Sequence, residues 1–92
     1  MAVVHHENVF FSGRVQGVGF RYTALQVAKE FEVAGYVANL PDGRVQLEIE
    51  GDQVVVEAFL GALQDRMHGY IRKLDRAGGT TRPAQFHGFT LR

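Results

Sequence analysis

The 92-residue chain is 46% hydrophobic, has seven Phe and no Cys, and balances ten Lys and Arg against ten Asp and Glu. That neutrality excludes the basic excess with which nucleic-acid binders displace counterions, and it gives no attraction to an anionic membrane surface. The missing cysteines exclude disulfides, Cys-based zinc sites and thiol catalysis, and suit a reducing compartment.

A single domain over residues 1–92 is expected. The opening MAVVHHENVFF has no basic stretch and is broken by His5, His6, Glu7 and Asn8, so it does not read as a secretory signal. No apolar run approaches the roughly 20 residues that span a bilayer, and a cytoplasmic protein is expected.

The first predicted element is a strand over Asn8 to Phe11 that runs towards Val15. A glycine-rich stretch follows, then a helix from Tyr22 to Phe31, with Ala24, Leu25, Ala28 and Phe31 at helical spacing. Gly35 is read as the stop of that helix, and Tyr36, Val37 and Ala38 as a short strand ending at Asn39. Leu40-Pro41-Asp42-Gly43 is a turn signal, because Pro41 presets φ, Asp42 bonds nearby backbone and Gly43 tolerates positive φ. Arg44 to Glu50 alternates, with Val45, Leu47 and Ile49 facing one way, which makes a half-buried strand and a hairpin.

Residues 51–67 open with three valines, which favours a strand. Their length and the shared helical face of Val55, Phe59, Ala62 and Leu63 predict a helix, capped by Asp52. Ile71 to Leu74 reads as a weak strand, residues 75–85 as a polar loop, and Phe86 to Arg92 as a closing strand. The order is strand, helix, strand, strand, helix, strand, with a short extra strand. This is the α+β, ferredoxin-like βαββαβ arrangement, a mixed sheet with both helices on one face.

GRVQGVGFR, residues 13–21, is the stretch that points to chemistry. A P-loop needs Lys-Ser or Lys-Thr after its last glycine, where Phe20-Arg21 stands. A dinucleotide fingerprint needs a glycine at Tyr22. An RNA-recognition strand would place its aromatics on the third strand, whereas this stretch follows the first and has Val18 where an aromatic is wanted. The direct reading is an anion cradle. Backbone N–H groups at a strand-to-helix junction point outward with the helix dipole behind them. Gly17 and Gly19 let an anion approach the main chain, and the guanidinium of Arg21 clamps two oxygens. A tight turn with Arg21 in a surface ion pair is the commoner meaning of an isolated Gly-x-Gly before a helix.

GRVQGVGFR followed by GYVANLPDGRVQLEIEG resembles the acylphosphatase family. Gly35, Tyr36, Val37, Asn39, Gly43, Val45 and Gly51 fall at the intervals of that family's second signature. The resemblance covers essentially the whole chain and is thinnest after Met67. It implies hydrolysis of acyl phosphates to a carboxylate and inorganic phosphate. It further implies a phosphate cradle made by the backbone amides of Gln16, Gly17, Val18, Gly19, Phe20 and Arg21, with Arg21 on the phosphoryl oxygens and Asn39 orienting the attacking water. It implies no metal or other cofactor, a monomer, and no nucleic-acid or membrane partner. Ala38 stands where many relatives have a basic residue and Tyr36 where many have Trp.

The implied chemistry needs no general acid. A carboxylate leaving group, with a conjugate-acid pKa of about 4, departs unprotonated. A loose phosphoryl-transfer transition state asks mainly for positioning and charge stabilisation, which Arg21 and a row of amides supply. Alone, Asn39 reads as a turn residue; beside the first motif it reads as catalytic.

Two other functions stay open on sequence: a phosphate-binding module on the same fold, and a single-stranded RNA binder. Acylphosphatase-like domains also occur in larger maturation proteins that act on carbamoyl phosphate. His5 and His6 are adjacent and point to opposite faces of a strand, which argues against a shared metal. His68 and His87 have no partners at ligand spacing, and Phe10, Phe20, Phe31 and Phe59 are read as core.

Overall fold

The computed structural model describes residues 3–92. Its elements are β1 (Val3–Gly13), α1 (Phe20–Ala28), β2 (Val33–Asn39), β3 (Val45–Gly51), α2 (Gln53–Met67), β4 (Ile71–Pro83) and β5 (Phe89–Leu91). The sheet order is β4-β1-β3-β2-β5. The first four strands pair antiparallel, and β5 runs parallel to β2. Among the described residues no helix is long and apolar enough to cross a membrane.

Alternation in the strands builds the core. Val9, Phe11, Val37, Leu47 and Ile49 are fully buried, and the register sets Val9 and Val37 beside Leu47 on either side of β3. Both helices cover this face, adding Phe20, Ala24 and Val27 from α1 and Val56, Phe59, Leu60 and Leu63 from α2. Asp52 caps α2 by accepting from the Val54 amide at 3.0 Å. The face of α2 is therefore set by Val56 and Leu60; Val55 and Ala62 stand at its margin.

Helix α1 begins and ends earlier than its periodicity predicts. Phe20 is buried against Phe11, with ring centroids 4.9 Å apart, and pulls the first turn back to Gly19. At the other end, three-residue bonds from Lys29, Glu30 and Phe31 to Gln26, Val27 and Ala28 tighten the chain out of the helix. Phe31 keeps helical spacing only because it packs on the core from this turn. Gly35 is not the stop. It lies inside β2 at φ 149°, where an added Cβ would meet the Glu48 carbonyl oxygen at 1.9 Å.

Strands β1 and β4 are longer than expected, and for one shared reason. The stretch 75–83, expected as loop, pairs with 3–10 of β1. Its polar side chains suit an edge strand, and the Gly78-Gly79 pair absorbs the register shift opposite His6 and Glu7 as a bulge. The closing strand contracts to Phe89–Leu91. On the sheet face away from the helices, Phe10 lies under the Arg44 guanidinium, 4.8 Å from the ring centroid, so it is not core.

Candidate active site

The glycine-rich stretch runs from the end of β1 into α1. Gly17 and Gly19 take left-handed conformations, φ 76° and 78°, and a Cβ at either would meet no atom within 4 Å. Glycine is needed here for the backbone path, since space is ample. Among the described residues, none of the amides from Gln16 to Gly19 donates to a protein acceptor. The first amides of α1 have no intrahelical partner either. Gly19, its N-cap, brings no side-chain bond, and no acidic residue occupies the first turn. A run of free N–H groups and an unneutralised helix dipole thus meet at one place.

That place is a depression of about 180 Å³ lined by Val15, Gly17, Gly19, Phe20, Arg21, Tyr22, Asn39 and Leu91. Among these, Arg21 alone is charged. Its Nη1 donates to the backbone carbonyl of Arg92 at 2.9 Å, which anchors one edge of the guanidinium beside β5. Asn39 ends β2, is exposed, and borders the same depression.

The turn after Asn39 closes without it. Leu40 and Arg44 pair through N–H···O at 2.8 Å, and the Gly43 amide donates to Leu40 at 3.1 Å. Asp42 accepts from the Arg44 amide at 3.0 Å and from Arg44 Nε at 2.8 Å. Those two bonds hold the Asp42 carboxyl below its ordinary value. The turn reading of Asn39 therefore has no bond to rest on among the described residues.

Gln16 and Val18 are placed differently from their neighbours in the motif. The Gln16 side chain turns away from the depression to the Leu40 and Arg44 carbonyls, and Val18 packs against the core. Sequence reading missed Val15, Tyr22 and Leu91. Tyr22 carried a signal, since it stands beside Arg21 off the helix face set by Ala24 and Ala28; Leu91 joins the site only through the β2–β5 pairing.

The residues match one family. The acylphosphatase family model matches residues 7–91. The chain belongs to the acylphosphatase family. An acylphosphatase of Archaeoglobus fulgidus is 48% identical over 56 residues, 61% of this chain and 63% of the relative. One from Methanospirillum hungatei is 40% identical over 65 residues, 71% of each chain. The match to the first thus spans less than two thirds of that relative's length. The crystal structure of acylphosphatase from Bacillus subtilis superposes with a TM-score of 0.80 at 27% identity, covering 96% of this chain and 98% of that one. The α+β, ferredoxin-like fold is that of these acylphosphatases.

The histidines lie elsewhere. His5 meets Glu7 at 2.5 Å on the helix side and His6 meets Glu48 at 2.9 Å on the open side. His5, Glu7 and Glu57 stand close enough to share a cation, but Arg76 already pairs with both carboxylates, at 2.8 Å and 2.5 Å. Burial raises Glu7, and the bonds from Arg76 and His5 outweigh it, leaving the carboxyl below its ordinary value. His68 Nδ1 lies 3.2 Å from the Asp65 carbonyl, and His87 is exposed.

Proposed function

We propose that this chain is an acylphosphatase, hydrolysing the carboxyl–phosphate bond of acyl phosphates to a carboxylate and inorganic phosphate. The observation that carries the reading is the convergence of unpartnered amides, Arg21 and Asn39 on one small depression. In this reading the amides of residues 16–21 cradle the phosphoryl oxygens, and Arg21 adds the positive charge that the transition state requires. Asn39, with no competing bond among the described residues, donates and accepts at the attacking water and holds it in line.

Water attacks phosphorus, the bond from phosphorus to the bridging oxygen breaks, and that oxygen leaves with its electron pair as carboxylate. The water proton passes to a phosphoryl oxygen of the substrate. No acidic, basic or metal-bound group is needed at the leaving oxygen, because a carboxylate departs unprotonated. The family's activity supports a small-molecule substrate and no cofactor, the neutral charge supports no nucleic-acid or membrane partner, and the absence of cysteine suits the cytoplasm; in this reading the chain acts as a monomer.

The test compares leaving groups. Acetyl phosphate is hydrolysed, whereas a phosphate monoester of an alcohol, whose leaving group needs a proton, is left intact. Equal turnover of both overturns the acid-free mechanism. Phosphate binding with no turnover of any acyl phosphate indicates a phosphate-binding module instead.

A further inference from the structure

Tyr22 and Leu91 are among the few large apolar residues that stand exposed, at 62% and 39%, and both line the depression that holds Arg21 and Asn39. Single exposed apolar residues need no explanation, but two flanking a polar cradle do. Helical spacing sets Leu25 next to Tyr22 on α1, and alternation sets Phe89 on the same face of β5 as Leu91. Leu25 and Phe89, with Ala28 and Val33, line a second depression of about 210 Å³. An apolar seam therefore leads away from Arg21 between α1 and β5, over about 10 Å of helix axis from Tyr22 to Lys29. Lys29, at its far end, is the first cation past Arg21 among the lining residues.

We propose that the α1–β5 seam is the acyl subsite: with the phosphoryl group in the cradle, the acyl chain passes between Tyr22 and Leu91 towards Leu25 and Phe89. The favoured substrates are then acyl phosphates with an uncharged apolar acyl group, aromatic or medium-chain aliphatic, in preference to short ones or ones that place an anion within the seam before Lys29. The proposal rests on the acyl phosphate reading above. The side of the cradle that receives the chain is fixed by the two exposed apolar residues, which gain cover when it is occupied.

The test uses n-alkylphosphonates from methyl to hexyl, which carry the chain without a hydrolysable bond, and acyl phosphates from acetyl to hexanoyl. In the wild type the phosphonate Kd falls about twofold per methylene, against about fourfold for full burial, and kcat/KM for the acyl phosphates rises in parallel. Tyr22→Ser flattens both slopes from the first carbons; Leu25→Ser flattens them only for the longer chains. Val54→Ser, exposed on α2 and outside both depressions, keeps the wild-type slope.

A wild-type Kd independent of chain length overturns the subsite, as does a wild-type slope in Tyr22→Ser. Because Tyr22 is exposed, its variant carries the test even if Leu25→Ser fails to fold. A sloped phosphonate series beside intact acyl phosphates supports the seam and overturns the hydrolase reading instead.

Discussion

The Gln16 side chain ties the cradle to the turn beyond Asn39: its Nε2 donates to the Leu40 carbonyl at 2.8 Å. The same amide donates to the Arg44 carbonyl at 3.0 Å. Leu40 directly follows Asn39, so these bonds set the separation between the glycine-rich stretch and the Asn39 side chain, the proposed cradle and the proposed water-orienting amide. Gln16→Ala loses both. The expected result is a kcat on acetyl phosphate lower by about 10- to 100-fold, with the phosphate Kd changed by no more than about threefold. Urea unfolding should register about 1 kcal/mol per lost bond. An equal loss in Kd and kcat would mark Gln16 as a phosphate contact and not a positioning residue.

Asn39→Ala tests the water-orienting role. Asn39 is exposed and bonds nothing in the turn, so the variant melts within about 0.5 kcal/mol of wild type. Its phosphate Kd is retained while kcat falls about 100- to 1,000-fold. Stopped-flow or steady-state phosphate release reads the difference, and near-wild-type turnover removes Asn39 from the mechanism.

Gly19→Ala tests the backbone cradle itself. The site has room for a methyl group but not the conformation, at φ 78°. The strain costs about 1–2 kcal/mol, seen in chemical denaturation, and turning the amides aside weakens phosphate binding about tenfold or more by calorimetry. Unchanged phosphate affinity in a folded variant would show that these amides do not hold the anion.

Tyr36 governs an alkaline limb of stability. Its hydroxyl donates to Glu48, and burial, then the Glu48 carboxylate, push it up to about 12 from an ordinary 10.0. The folded value lies above the unfolded one, so the contribution is complete below pH 10 and is lost as pH rises from about 10 to about 12. Tyr36→Phe flattens that limb in melts taken across the range. An alkaline limb that persists unchanged assigns the loss to other groups.

Where the chain folds by local pattern, its structure could be read directly. β3 follows from the alternation of Val45, Leu47 and Ile49, and α2 from its length and the Asp52 cap. What was hidden depends on partners distant in sequence. His6 and Glu7 make the start of β1 look polar, yet they bond Glu48 and Arg76 across the sheet. Gly78 and Gly79 look like loop residues but form a bulge in an edge strand.

The site divides the same way. Glycines and Arg21 within one short stretch read as an anion cradle or a tight turn, and only the second motif around Asn39 favours the cradle. The Gln16 staple depends on β1 lying beside the β2–β3 hairpin, and the approach of Leu91 on β5 pairing with β2. Gly35 was legible as special but not for its reason, which is the Glu48 carbonyl passing too close for any side chain.

Hydrolysis of benzoyl phosphate, with chelator present, by wild type, Arg21→Ala and Arg21→Lys decides whether Arg21 and the amides act on an acyl phosphate without a metal. Wild type is expected to turn over benzoyl phosphate whether or not chelator is present. Arg21→Ala is predicted to lose at least about 1,000-fold in kcat/KM, with only partial recovery in Arg21→Lys, whose point charge cannot clamp two oxygens. Wild-type rates in Arg21→Ala, or activity abolished by chelator, would contradict that metal-free role of Arg21.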